Sequence, residues 1–421
     1  IIDSINKTSY KTKPQLIKRH IDFNTKSILD ENKLDLKGMY FSKSPIRTFS
    51  DKCNLSHVIG YLRQDKNNDK IMPMLGIEKI YNNILNGENG VQYHLVDSKG
   101  IDQGVVPEKF NNKDFKPVQG GNLYLSINLI LQQFCEKLIE QQKGSIIISD
   151  PNTGEILSMF SFPDYDLNSF SGPISNKTWE DLNKKSVFIN RSIQSQYAPR
   201  SIFKLLLASI ALEKEIISID DKVNCTGTYD FYDTQFHCWN KDGHGIVDLR
   251  ESIQKSCNIF YYNLIQKMGL DFWAEEITKF GFGEKTNIDL QSEGIGLVPT
   301  KNFMNNYYKD KGGWSTGHLL NISIGQGEVL VTPLQINTLI SIICNSGYAF
   351  TPHINKNIDI SIKYVPYNKD VWSFIKKSMF DAVNKTGGTA YNAKIEKLKG
   401  NVYGKTGTVQ ICSDCDISPH A

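Results

Sequence analysis

The chain predicts an α+β fold built on an antiparallel sheet, and three observations carry that prediction. Ser145-Ile146-Ile147-Ile148 and Glu155-Ile156-Leu157-Ser158-Met159-Phe160 flank the turn Asp150-Pro151-Asn152-Thr153-Gly154, a strong hairpin signal. Leu205, Leu206, Leu207, Ala208, Ile210, Ala211 and Leu212 form a strongly apolar helical run that ends at Glu213-Lys214-Glu215. Thr332-Pro333-Leu334-Gln335 is a helix start: a cap, a proline at the first position and a Gln closing a capping box. That helix continues through Ile336, Leu339, Ile340 and Ile343 and stops at Asn345-Ser346-Gly347.

Taken in order, residues 1 to 45 are polar and rich in Lys and Asn, which predicts irregular or short-stranded chain. Val58-Ile59-Gly60-Tyr61-Leu62 predicts a strand, and Gly76 to Leu85 has helical spacing that stops at Asn86-Gly87. Gln92 to Val96, a turn at Asp97-Ser98-Lys99-Gly100 and the residues after it suggest a hairpin. Pro117 to Gly121 marks a domain boundary, giving a module of residues 1–118 and a domain of 119–421. Leu123 to Ile127 predicts a strand, and Leu131, Phe134, Cys135, Leu138 and Ile139 mark one face of a helix. Residues 225 to 245 are aromatic, polar and glycine-bearing, the composition of a long functional loop. Leu249–Lys255 predicts a helix, and Val402-Tyr403-Gly404 with Val409-Gln410-Ile411 alternates like a strand.

With 421 residues, 40% of them apolar, the chain can hold two domains, one with a large core. A net charge of +3 with scattered basic residues argues against nucleic acid as a partner. No run approaches the ~20 apolar residues of a membrane span, and no signal peptide is visible. The first residue is Ile, which suggests a fragment that has lost an N-terminal anchor.

The chemistry centres on Ala198-Pro199-Arg200-Ser201-Ile202-Phe203-Lys204. Pro199 precedes the apolar helix, so Ser201 falls on its first turn, and a Ser and a Lys three apart share a helix face. A serine is inert until a base takes its proton, and a desolvated lysine can be that base. Outward backbone N–H groups at the helix start favour the negative charge that develops on attack. Ser-x-x-Lys also occurs at Ser4, Ser252 and Ser373, so setting and partners decide. Ser256-Cys257-Asn258 offers a proton relay and an amide anchor. Lys405-Thr406-Gly407-Thr408 offers a cation and hydroxyls for a carboxylate, a glycine for close backbone approach and an N–H for an oxyanion hole. A second Lys-Thr-Gly at Lys385 has turn composition and is expected to be structural.

Ser-x-x-Lys, Ser-x-Asn and Lys-Thr-Gly, in that order, are the known motif set of penicillin-binding proteins and class A β-lactamases. With these residues the chain resembles the monofunctional (class B) penicillin-binding proteins, in particular those of cell elongation. The likeness extends to Gly76-Ile77-Glu78-Lys79, Asn86-Gly87-Glu88-Asn89-Gly90, Ser161-Phe162-Pro163-Asp164-Tyr165-Asp166 and Asn190-Arg191. It continues through His244-Gly245-Ile246-Val247-Asp248-Leu249 and Gly325-Gln326-Gly327-Glu328-Val329-Leu330-Val331. The resemblance implies a transpeptidase domain with an antiparallel sheet, helices on both faces and an all-helical subdomain, preceded by a pedestal module. It also implies D,D-transpeptidation of peptidoglycan stem peptides, with Ser201 acylated and Lys204 its base. Ser256 would relay protons, Asn258 would anchor a substrate amide, and Lys405, Thr406, Gly407 and Thr408 would bind the donor peptide. β-Lactams would acylate the same serine, a membrane glycan polymerase would be the partner, and the domain would work in the periplasm at the inner membrane.

Two departures from the family stand out. Arg200 occupies the position usually held by Gly, where a left-handed backbone would strain it, and the chain ends thirteen residues after Thr408, before the last elements of the fold. A β-lactamase or D,D-carboxypeptidase would share the triplets but needs a carboxylate that activates water, and no such motif lies between Ser201 and Lys405. The 120 N-terminal residues have no place in a small hydrolase or an acylable sensor domain, and an inactive scaffold rests only on the two departures.

Cys225, Cys238, His244 and Cys257 have 12, 5 and 12 intervening residues and suit a closed, four-coordinate structural zinc site. Cys257 is the middle residue of Ser-x-Asn, so the metal would fix the loop carrying Ser256 and Asn258. The competing reading is a Cys225–Cys238 disulfide with Cys257 buried, and Asp233 or Asp242 could replace a ligand. Cys135 and Cys344 are expected in the core, Cys412-x-x-Cys415 carries no assignment, and His57, His318 and His353 lack partner spacing.

Overall fold

The structure is a computed structural model. It describes residues 17–18, 21–36, 39, 41, 47–50, 54–64, 71–98, 102–107, 109, 113–139, 142–170, 174–398 and 402–408. The chain divides into two compact units, Ile1–Thr48 with Asn83–Asn122, and Phe49–Asn82 with Leu123–Ala421.

In the smaller unit, a helix spans Phe23–Glu31 where irregular or stranded chain was expected. The Asp22 carboxylate caps it by accepting from Thr25 N–H at 2.8 Å, and Lys26 pairs with Asp30 one turn on. None of its residues is buried, so it has no apolar stripe and left no periodic signal. The expected hairpin forms between His94–Val96 and Asp102–Val105, with turn residues 99–101 outside the described residues.

In the larger unit the expected strand at Val58 is instead a helix, Ser56–Ile59, followed by strand Leu62–Gln64 paired with Ile71–Pro73. Gly60 makes the bend: its φ is 80°, and a Cβ there would lie 1.9 Å from the Leu75 carbonyl oxygen. The helical spacing after Gly76 gives two short helices, Gly76–Ile80 in this unit and Asn82–Leu85, which falls in the smaller unit from Asn83 on. Leu123–Ile127 carries one bridge, Leu125 to Asn355, not a full strand. Helix α1 (Leu129–Leu138) exposes Phe134 and Leu138, against expectation, and buries Cys135 beside Gln132. The Gln132 amide donates to the Met159 carbonyl and accepts from Ser158 Oγ and Met159 N–H, so a polar residue fills the inward position.

The predicted hairpin is strands β1 (Gly144–Ser149) and β2 (Ile156–Phe162), paired antiparallel from Gly144↔Phe162 to Ser149↔Ile156. Helix α2 (Phe203–Glu213) is buried at every position from Phe203 to Ala211 and forms the centre of the main core. The stretch 225–245 is not one long loop. It contributes to β3 (Lys222–Cys225), β4 (Thr228–Phe231), β5 (Thr234–His237) and β6 (Gly245–Asp248). β4 pairs with β5, and β3 with β6. These four-residue strands are too short to show a clear period, and Tyr229 and Phe236 supply their inward contacts by packing on Tyr262.

Helix α3 (Leu249–Gln254) starts on an Asp248 capping box and leads into α4 (Asn258–Met268). Helix α5 (Pro333–Cys344) shows the predicted Thr332–Gln335 capping box and N-terminal proline, and α6 (Lys369–Asn384) follows. Cys344, expected in the core, is exposed, whereas Cys135 is buried. Residues 402–408 form no strand ladder. They dock on α6 through Gly404 N–H to the Met379 carbonyl (3.2 Å) and Asn384 Nδ2 to the Val402 carbonyl (2.8 Å). Residues 409–411 and the Cys412–Cys415 pair lie outside the described residues. Among the described residues no helix is long and apolar enough to cross a membrane.

Candidate active site

Ser201 sits in a 3-10 turn, Arg200–Ile202, that runs straight into α2. Arg200 has φ 55°, the left-handed conformation that sequence placed under suspicion, at a cost of about 1–2 kcal/mol for a non-glycine residue. Gly325 makes it possible. The Arg200 N–H donates to the Gly325 carbonyl at 2.8 Å, and a Cβ on Gly325 (φ 70°) would lie 2.3 Å from the Arg200 carbonyl oxygen.

Lys204, one turn into α2, is fully buried. Its Nζ donates to Asn258 Oδ1 at 2.7 Å, to the Ser256 carbonyl at 2.8 Å and to Ser256 Oγ at 3.3 Å. Burial pushes the ammonium down to about 8, against the pull of the Cys257, Cys238 and Cys225 sulfurs. Such a lysine holds a useful fraction of free base near neutral pH.

The loop bearing Ser256 and Asn258 is a tight helix-to-helix turn. Ser256 has φ 52°, and the Cys257 N–H returns to the Ser252 carbonyl at 2.9 Å, closing α3 in a left-handed cap. That reversal sends Cys257 into the core, fully buried, while Ser256 and Asn258 face Lys204. The Asn258 amide is held from both ends, since its Nδ2 also donates to the His237 carbonyl at 3.1 Å. From the third segment, Lys405 Nζ donates to Ser256 Oγ at 3.0 Å and to the Thr406 carbonyl at 3.1 Å. Burial and repulsion from Lys204 hold Lys405 well below the ordinary lysine range. A Cβ on Gly407 would lie 3.5 Å from Ile202 and 3.7 Å from the Pro199 carbonyl oxygen, so this segment runs beside the Ser201 turn. Thr408 is exposed, and Thr406 Oγ1 donates to Thr389 Oγ1 at 2.9 Å.

Cys225, Cys238, His244 and Cys257 converge behind the loop, with their ligand atoms all within 4.8 Å of one another. His244 Nδ1 faces Cys225 Sγ at 3.4 Å and Cys238 Sγ at 3.5 Å. A tetrahedron with Zn–S bonds of about 2.3 Å has edges of roughly 3.7 Å, so this donor set fits zinc in size and chemistry. Hydrogen bonds from Cys257, His244 and the Asn258 N–H favour the Cys238 thiolate, and the same Cys238 interaction with burial raises Cys257. The three cysteines are unbridged and buried, and Asp233 and Asp242 lie outside the group.

Two contributors left no motif in the sequence. His237 acts through its backbone carbonyl, which no side-chain pattern announces. Thr389 follows the second Lys-Thr-Gly, whose turn composition hid it; there Lys385 pairs with the buried Asp381. The three histidines that lacked partner spacing do structural work: His57 meets the Val187 carbonyl, His318 closes a helix cap with Ser315, and His353 meets the Thr351 carbonyl.

Residues 144–417 match the penicillin-binding protein transpeptidase domain, and residues 1–125 match the penicillin-binding protein dimerisation domain. The chain belongs to the penicillin-binding proteins, in the monofunctional (class B) group that joins these two modules. Within that group it is of the penicillin-binding protein 2 (MrdA) type. It is 28% identical over 97% of its length to the peptidoglycan D,D-transpeptidase MrdA of Salmonella typhimurium, covering 69% of that protein. It is 29% identical over 85% of its length to the Escherichia coli K12 protein of the same name, covering 60% of it. The Helicobacter pylori penicillin-binding protein 2, solved in complex with MreC, superposes with a TM-score of 0.83 at 26% identity, over 97% of this chain and 79% of that one. The Pseudomonas aeruginosa protein, solved with WCK 5153, gives 0.73 at 26% identity, over 88% and 82%.

Proposed function

We propose that the chain is a peptidoglycan D,D-transpeptidase of cell-wall elongation that works through a Ser201 acyl-enzyme. One observation carries the assignment of roles: Lys204, one turn after Ser201, and Lys405, whose segment runs beside the Ser201 turn, both donate to the Ser256 hydroxyl. Lys204 in its free-base form takes the Ser201 proton as Oγ attacks the carbonyl between the two terminal D-alanines. The Ser201 and Thr408 N–H groups receive the oxyanion. Ser256, polarised by two lysines, returns a proton to the departing D-alanine amine. Lys405, Thr406 and Thr408 receive the terminal carboxylate, Gly407 leaves room for the peptide backbone, and Asn258 orients a substrate amide. A side-chain amine of a neighbouring stem then attacks the acyl-enzyme, forming the cross-link and freeing Ser201.

Cys225, Cys238, His244 and Cys257 hold a structural zinc ion that supplies rigidity behind the Ser256–Asn258 loop. Residues 1–118 serve as the pedestal and 119–421 as the transpeptidase domain. The domain acts in the periplasm at the bacterial inner membrane, with a membrane glycan polymerase as partner. That partnership is supported by the structural likeness to a peptidoglycan synthase complex solved for the coordination of polymerisation and cross-linking. A fluorescent penicillin tests the assignment. Stable labelling that disappears in Ser201→Ala supports the transpeptidase, rapid release of the label indicates a lactamase, and absence of labelling refutes an acylating enzyme.

A further inference from the structure

The left-handed residue that leads into Ser201 is held by a neighbouring segment, residues 325–331, and that segment has a brace of its own. The Arg200 N–H donates to the Gly325 carbonyl at 2.8 Å, and Tyr197 and Val331 exchange N–H to carbonyl bonds of 2.8 and 2.9 Å. Between these two anchors the chain turns through Gly327 (φ 72°) and Glu328. The Glu328 carboxylate accepts from the Tyr308 hydroxyl through Oε1, and its Oε2 is buried with no hydrogen-bond partner among the described residues. Tyr308 caps the helix Lys301–Tyr307, where its N–H donates at 3.0 Å to the carbonyl of Met304, a fully buried residue of the main core. Its ring meets His318 edge-on, with centroids 4.4 Å apart, on the helix Thr316–Ser323. That helix runs directly into Gly325, whose N–H donates to the Ile322 carbonyl at 2.9 Å. One phenol therefore ties the middle of the 325–331 segment to a helix rooted in the core.

We propose that Glu328 and Tyr308 are a positioning pair of this active site, bracing the 325–331 segment so that it keeps Arg200 left-handed and Ser201 aimed at its substrate. A glycine at position 200 would adopt φ 55° without steric cost, so the arginine creates the need for the brace. The Tyr308 proton goes to a carboxylate whose other oxygen is already buried and unmatched, so removing that donor leaves the acid without compensation. The 325–331 segment then yields, and Arg200 relaxes toward the right-handed region, carrying Ser201 out of line. The inference rests on the Ser201 acyl-enzyme, and its test separates the two.

In the full-length protein, the second-order rate of labelling by a fluorescent penicillin is measured per labelled site, alongside the melting temperature. Tyr308→Phe, which removes only the hydroxyl, should slow labelling about tenfold, the worth of one hydrogen bond to a charged group. Glu328→Leu should show a similar loss, and Glu328→Gln, which keeps an acceptor oxygen, should stay within about threefold of the wild type. Tyr308→Phe with Glu328→Leu should be no slower than the slower single variant, since both break one bond. A positioning role shows in its dependence on residue 200. In an Arg200→Gly background, where the left-handed backbone is unstrained, Tyr308→Phe should slow labelling by no more than about twofold. Wild-type rates in Tyr308→Phe, a glutamine variant as slow as the leucine one, additive losses, or an undiminished loss in the Arg200→Gly background would overturn the proposal. If Tyr308→Phe does not fold, Glu328→Leu takes its place. If Arg200→Gly does not label, Arg200→Asn, which also tolerates a left-handed backbone, supplies the background. No labelling of the wild type would instead overturn the Ser201 reading itself.

Discussion

Lys204 lies buried under Ser256 and Asn258 with its ammonium held down to about 8. As a general base it works only when deprotonated, so acylation of Ser201 should track its neutral fraction. That fraction is roughly a tenth at pH 7, half at pH 8 and nine-tenths at pH 9. The labelling rate of a fluorescent penicillin, followed by stopped flow, should rise about tenfold from pH 7 to pH 9 and then level off. Lys204→Arg keeps the charge but cannot lose its proton, and should label on the order of 10³ times more slowly. A flat or falling profile, or an arginine variant labelling at the wild-type rate, would refute a free-base Lys204. Linkage fixes a companion sign. Between about 8 and the ordinary 10.5, the unfolded chain binds a proton the native chain has released, so this group's contribution to stability rises with pH across that window. The full swing is about 3 kcal/mol, an upper figure for so enclosed a group.

Gly325→Ala forces a Cβ into the Arg200 backbone at a left-handed position, and should cost about 2–4 kcal/mol in denaturant titration while slowing Ser201 labelling. Asn258→Leu strips acceptor and donor together from Lys204 Nζ and the His237 carbonyl. Calorimetry should record a loss of about 3 kcal/mol, and a variant of wild-type stability would contradict the buried network. Purified protein should carry about one zinc ion per chain by elemental analysis. Stripping it with a strong chelator should lower the melting temperature by several degrees and slow acylation, both restored by added zinc. A metal-free protein with full activity would contradict the site.

What the sequence made legible follows from how strong the local signals are. The α2 run, the β1–β2 hairpin and the α5 capping box each combine periodicity with a turn or cap, and all three appear where expected. The helix at Phe23 was illegible because a side-chain cap and an ion pair, not an apolar face, define it. Val58 and Ile59 are β-branched and invited a strand, but the bend imposed at Gly60 places them on a helix. Lys405 was legible from its triplet, whereas its docking on α6 depends on backbone groups of Met379 and Val402 that any side chain could carry. In the site, convergence of Lys204, Ser256, Asn258 and Lys405 followed from motif order, while Thr389, just past the turn-like Lys385-Thr386-Gly387-Gly388, carries no motif of its own.

The left-handed residue at Ser256 turns three consecutive side chains to opposite sides, with Cys257 facing backward and its two neighbours forward. No spacer separates the working surface from what supports it. A one-residue insertion in this tripeptide would swap front for back, and exchanging Cys257 for a bulkier residue would push both neighbours out of line. Drift at these three positions is therefore confined to coordinated changes, with the groove and its foundation altering together or not at all.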